Sequence, residues 1–191
     1  MKSVDSIIER FEKQEILFCE DPSRLSINKL YKDNSNSLFS YKANIWRNHA
    51  IEPLLKYIFI YLKNFDISLN FKLSDYDDTF SFNNISKSDL EIIWIDFEKY
   101  HESIKISEWI DWFFSRIKNL RALSYSPILV ICLTENKKLF ELAKERLSEI
   151  SGVFVADIFF EFSTHKIPMV DKKYEPLSGT SLNKNIHLLM A

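Results

Sequence analysis

Glycine is nearly missing: Gly152 and Gly179 are the only two in 191 residues. A Walker loop, a GxGxxG dinucleotide turn and a GxSxG nucleophile elbow each need several glycines in one short segment, so all three are excluded. Cysteine is as scarce. Cys19 and Cys132 lie far apart, and Cys132 sits in an apolar run, which points to a buried, reduced thiol. His49, His101, His165 and His187 share no ligand spacing with one another or with a cysteine, so no metal site is expected. No apolar run approaches the ~20 residues of a membrane span. The start, MKSVDSIIERFEK, is no signal peptide. Blocks of like charge are lacking too. With 25 Lys and Arg against 27 Asp and Glu, the net charge of -2 argues against nucleic acid or a membrane surface as partner. The expected location is the cytoplasm, and no cofactor is implied.

What is present is apolar and periodic. Hydrophobic residues make up 46% and aromatics 15%, enough for one full core. Residues 4 to 18 read as a short helix, and the polar KDNSNS at 32–37 marks a boundary. Residues 1–37 are therefore expected to be a helical extension and 38–191 an α/β domain. SLFSYKA (37–43) reads as a strand, and AIEPLLKYIFIYL (50–62) as a helix with Pro53 in its first turn. ISLNFKL (67–73) alternates strictly, as a half-exposed edge strand does. LEIIWI (90–95), PILVICL (127–133) and VFVADIFF (153–160) are near-continuous apolar strands. Helical segments follow the third and fourth strands, and SLNKNIHLLMA starts a last helix. The pattern predicts an open, doubly wound parallel five-stranded sheet, order 2-1-3-4-5.

The string SDYDDTFSF (74–82) holds Asp75-x-Asp77-x-Thr79, the spacing that haloacid-dehalogenase-type (HAD) phosphatases use to hold magnesium. Such an enzyme needs its first Asp at the end of a central strand, whereas this string follows the edge strand. It reads instead as a polar loop with Asp77 and Asp78 solvated. Asp96 and Thr134 end adjacent strands, as in phosphate-accepting receiver domains. The first strand, however, runs into YKANIWRN with no acidic pair.

ANIWRNHAIEPLLKYI resembles the RNFT-x-EP segment of the N-terminal domain of FkbH-like proteins, the subfamily IIIC proteins of the HAD superfamily. SDYDDTF, LEIIWIDFEKY and PLSGTSLNKNIHLLMA resemble further segments of that domain, so the likeness covers about residues 38–191. It implies an SGNH-hydrolase-like sheet, with the phosphatase motif carried by a following domain. It also implies carrier-bound chemistry on small acids, in polyketide or surface-glycan assembly. The expected partners are an acyl carrier protein or a neighbouring HAD phosphatase domain, with an anionic small molecule as a further candidate.

Ligands of open α/β sheets bind beyond the carboxyl ends of the strands, where strand order reverses. That rule gathers Asn44, Trp46, Arg47, Asn48 and His49 after the first strand, Asp96 and Phe97 after the third, and Thr134 and Asn136 after the fourth. An SGNH esterase needs a hydroxyl nucleophile after the first strand and a histidine near the last helix. Between Asn44 and Pro53 there is no Ser or Thr, and the segment before the last helix, KKYEPLSGT, has no His. The expectation is a non-hydrolytic recognition module, a pseudoenzyme, with Arg47 beside a helix start near residue 49 as an anion site. An atypical esterase or acyl transferase using His49 and Asp96 is the alternative. A magnesium phosphatase using Asp75 and Asp77 is the weaker one. The last apolar stripe is still running at Ala191, which suggests an N-terminal module of a longer protein.

Overall fold

The computed structural model describes residues 4–19, 23–30, 39–77, 79–100, 105–158 and 182. Five parallel strands form one sheet in the order β2-β1-β3-β4-β5, as the apolar patterning predicts. β1 (Phe39–Arg47) pairs with β2 (Ile67–Tyr76) and β3 (Leu90–Asp96). β4 (Ile128–Leu133) joins β3, and β5 (Val153–Asp157) closes the other edge.

Strand alternation sorts side chains onto two faces. On one face Ala43, Ile45, Ile92 and Trp94 pack under α3 (Glu52–Asn64), which contributes Leu54 and Leu55. On the other face Trp46, Ile93, Ile95, Val130 and Cys132 are covered by two later helices. These are α4 (Ile106–Leu123), with Phe113, Ile117 and Leu120, and α5 (Lys137–Leu147), with Phe140 and Ala143. Cys132 is buried, as its apolar setting predicts, whereas Cys19 is exposed. The helices α1 (Val4–Leu17) and α2 (Arg24–Leu30) bury Leu17 and Ile27 on the outer side of α3, against Tyr57 and Ile60. Among the described residues no helix is long and apolar enough to cross a membrane.

Two boundaries near the candidate site differ from the sequence expectation. β1 runs on to Arg47, so Asn44, Trp46 and Arg47 lie inside the strand and not after it. α3 starts at Glu52, two residues later than read, with Ile51 as its N-cap and Pro53 setting the first turn. Of the expected last helix only Leu182 is described. It is buried on the α3 face in an isolated bridge, and the rest lies outside the described residues.

β2 and β3 are parallel with β1 between them, so the chain crosses β1 from residue 77 to residue 89. Such crossovers are usually helical. Here the crossover is a loop on the α4 face, pinned by Phe80 and Phe82, which are 1% and 3% exposed. Its ends are tied to β1: Asp77 N–H donates to the Arg47 carbonyl and Asp89 N–H to the Lys42 carbonyl. Phe80, Phe82 and Asn84 adopt left-handed backbone, φ 46°, 54° and 60°. Non-glycine residues hold that conformation only where surrounding packing enforces it, which the two buried rings do.

Candidate functional site

At the strand ends, the polar side chains named from the sequence bond mainly to the protein itself. Asn48, buried, bridges β1 and β3. Its Nδ2 donates to the Asp96 carbonyl at 3.0 Å, and its Oδ1 accepts from Asp96 N–H at 2.8 Å. His49 is fully buried, stacked on Trp94 at 5.0 Å, with Nδ1 3.0 Å from Asn48 Oδ1. The Lys99 ammonium donates to the Asn48 carbonyl. Asp96 is 3% exposed and its carboxylate accepts from Glu98 N–H, capping the short 3-10 turn Phe97–Tyr100. Phe97 is core, 4.3 Å from the Trp109 ring.

The fourth strand end is tied in the same way. Glu98 accepts from the Thr134 hydroxyl at 2.8 Å and from Glu135 N–H. Thr134 in turn accepts from Asn136 N–H, while Asn136 caps α5 by accepting from Leu139 N–H. A cap of this kind satisfies one of the orphan donors of the helix start.

Arg47 projects on the α3 face, toward β2. Its guanidinium donates to the Ser74 carbonyl and to Glu52 at 2.5 Å, and lies 4.4 Å over the Tyr76 ring. Burial pushes the Glu52 carboxyl up, but the bonds and charge of Arg47 outweigh it and hold Glu52 below the usual range. Glu52 also accepts from Ile51 N–H at the start of α3. The helix-start amides and the guanidinium, read from the sequence as an anion site, therefore share an internal carboxylate.

Asn44 and Trp46 face the other way, onto Glu91. Glu91 is fully buried and accepts from Trp46 Nε1 at 2.7 Å, Asn44 Nδ2 at 3.2 Å, Ser88 at 2.8 Å and Ser124 at 2.9 Å. All four donors are neutral. LEIIWI reads as near-continuously apolar, a pattern that passes over Glu91 as a site residue. The signal was there: a lone charged residue in a strand buried on both faces needs a prepared set of donors.

The SDYDDTFSF string departs in part from the sequence expectation. Asp75 is exposed near the end of edge strand β2, as the alternation implies. Asp77 is not merely solvated. Its two oxygens accept from the backbone N–H and the hydroxyl of both Thr79 and Ser81, at 2.5 to 2.9 Å. Partial burial raises its pKa, but the bonds from Ser81 and Thr79 prevail and lower it to about 2. The sequence masked this because short polar residues look alike whether they bond to water or to each other. Asp78 lies outside the described residues.

Between β2 and the crossover loop lies a cleft of about 400 Å³, lined by Asn44 and Trp46 at its floor and by Lys72, Asp75, Ser81, Asn83 and Asn84 around it. A bulge shapes it: β2 spends three residues, Ser74 to Tyr76, where β1 spends two, which re-aims Asp75. The cleft thus takes in Asn44 and Trp46 from the residues read as a site, while Arg47, Asn48, His49, Asp96, Phe97, Thr134 and Asn136 lie outside its lining. Among the described residues no three of His, Cys, Asp and Glu are grouped to hold a metal ion.

No protein-family model matches the chain, and no curated protein does. Among solved structures it is similar to the crystal structure of the N-terminal part of the protein BF1531 from Bacteroides fragilis, containing a phosphatase domain and complexed with Mg. The TM-score is 0.65 at 10% identity, covering 86% of this chain and 53% of that one. At that identity the likeness shows the α/β fold. The chain spans about half the length of that solved chain.

Proposed function

We propose that this chain is a non-hydrolytic recognition module of the FkbH-like kind, serving an enzyme system that acts on carrier-bound small acids. One observation carries it. The titratable and hydroxyl groups at the ends of β1, β3 and β4 make hydrogen bonds to one another and to backbone, and the segment from Asn44 to Pro53 carries no Ser, Thr or Cys. Groups committed in this way hold loops together. A nucleophile needs a base within hydrogen-bond reach, and His49 sets its Nδ1 against the Asn48 amide oxygen. The neighbour is about twice as long as the shared fold, which fits a module working beside a second domain. An acyl carrier protein or an adjoining phosphatase domain is the partner that fits this role.

A second reading, a magnesium-dependent phosphatase, is favoured by the Mg-complexed phosphatase domain in the neighbour's name. The residues here do not fit the ion. Asp77 already accepts four hydrogen bonds within its own loop, and Asp75 sits on an edge strand.

Hydrolysis assays decide between these readings. A recognition module turns over neither an aryl ester nor an aryl phosphate, with or without magnesium. Ester turnover lost in His49→Ala or Asp96→Asn would establish the esterase alternative. Magnesium-dependent phosphatase turnover lost in Asp75→Asn would establish the other.

A further inference from the structure

We infer that the cleft beside β2 binds a small, neutral, polyhydroxylated molecule, of the size of one sugar unit. This ligand class deepens the recognition reading above and rests on it. At about 400 Å³ the cleft falls in the range of small-molecule sites. It is also built in advance of any ligand. Asp77 fixes the loop wall through four hydrogen bonds, and the buried rings of Phe80 and Phe82 hold three left-handed residues in place. The floor is set by Glu91, which fixes both the Asn44 amide and the Trp46 indole. A fully buried carboxylate is costly to retain, and here it orients two of the residues that line the cleft.

The wall chemistry selects the ligand. Asp77 has its acceptors filled, and the Lys72 ammonium is engaged by the Asn84 carbonyl and the Ser86 hydroxyl. Asp75 carries no side-chain hydrogen bond or ion pair among the described residues, and neither does the Asn84 amide. Asn83 uses only its Nδ2, on Ser81. What remains on offer is a carboxylate and two amides, rich in acceptors. One cation, Lys72, stands against two carboxylates, Asp75 and Asp77, so the cleft charge of about -1 disfavours a second anion. Hydroxyls both donate and accept, and they carry no charge. They match this wall.

The test is calorimetric titration of the full chain with the methyl glycosides of glucose, galactose and mannose, beside glucuronate and glucose 6-phosphate. At least one neutral glycoside should bind with a Kd of about 1 mM or tighter, and more tightly than either anion. The double variant Asp75→Asn, Asn84→Gly should weaken that binding by about tenfold, with the melting temperature little changed because both side chains are exposed and glycine keeps the left-handed backbone at 84. Asn83→Ala serves as an independent variant and should weaken binding in the same direction. No binding of any neutral glycoside at about 50 mM, tighter binding of the anions, or equal binding by the variants overturns the inference. Turnover in the hydrolysis assays with glycoside binding intact would instead remove the recognition reading and leave the ligand class standing.

Discussion

Two carboxylates, Glu91 and Asp77, carry more of this structure than their positions in the sequence suggest. Glu91 takes four neutral donors in a fully buried setting. Glu91→Gln replaces an acceptor by an NH₂ group that must face one of them, leaving buried donors opposed. The expected cost is about 1 to 3 kcal/mol, read from urea unfolding; an unchanged midpoint would show that the network contributes nothing. Asp77 makes a pH-dependent contribution. Its folded pKa of about 2 lies below the ordinary 3.8, so the unfolded chain binds the proton more readily. Stability from Asp77 is therefore present in full above about pH 4 and is lost as pH falls through about pH 2. Solvent screening keeps it to about 1 kcal/mol or less. Wild type and Asp77→Asn should differ in stability at pH 7 and converge near pH 2. Equal stability at both pH values would refute the role of the four hydrogen bonds.

At the scale of elements, the strands were legible and the crossover was not. Runs such as PILVICL announce a strand covered on both faces, and the alternation of ISLNFKL announces an edge. The order 2-1-3-4-5 follows from those two signals. The end of β1 was less clear because Asn44 and Arg47 look like loop residues. They are tolerated in the strand because Glu91 and Glu52 satisfy them. The crossover from residue 77 to residue 89 escaped notice because Phe80 and Phe82 alternate with Thr79 and Ser81 in a short polar string. That alternation hides two core side chains. Phe80→Ala should cost about 3 to 5 kcal/mol. Amides of residues 79–85 should then exchange faster than those of β3, and a uniform rise across the sheet would mean that the loop is no independent unit.

For the whole molecule, the N-terminal helices are part of the packing. Leu17 and Ile27 cover Tyr57 and Ile60 on the outer side of α3. Removing residues 1–30 uncovers those two side chains, at about 1.5 to 3 kcal/mol each. A truncated chain should unfold at lower urea than the full one, and equal midpoints would mean that the helices are passengers. The candidate site was only half legible. Strand-order reversal pointed to the ends of β1 and β3, where the polar groups hold loops together, while Asn44 and Trp46 belong to the cleft beside β2. A topological rule locates strand ends but cannot see how a loop shapes a wall. The central claim is that recognition occurs in that cleft and that the strand-end residues are structural. Amide chemical-shift mapping during titration with a neutral methyl glycoside tests it most directly. The account predicts shifts confined to residues 44–46 and 72–84, with Asn48, His49 and Asp96 unmoved. Shifts centred on Asn48, His49 and Asp96 would contradict it.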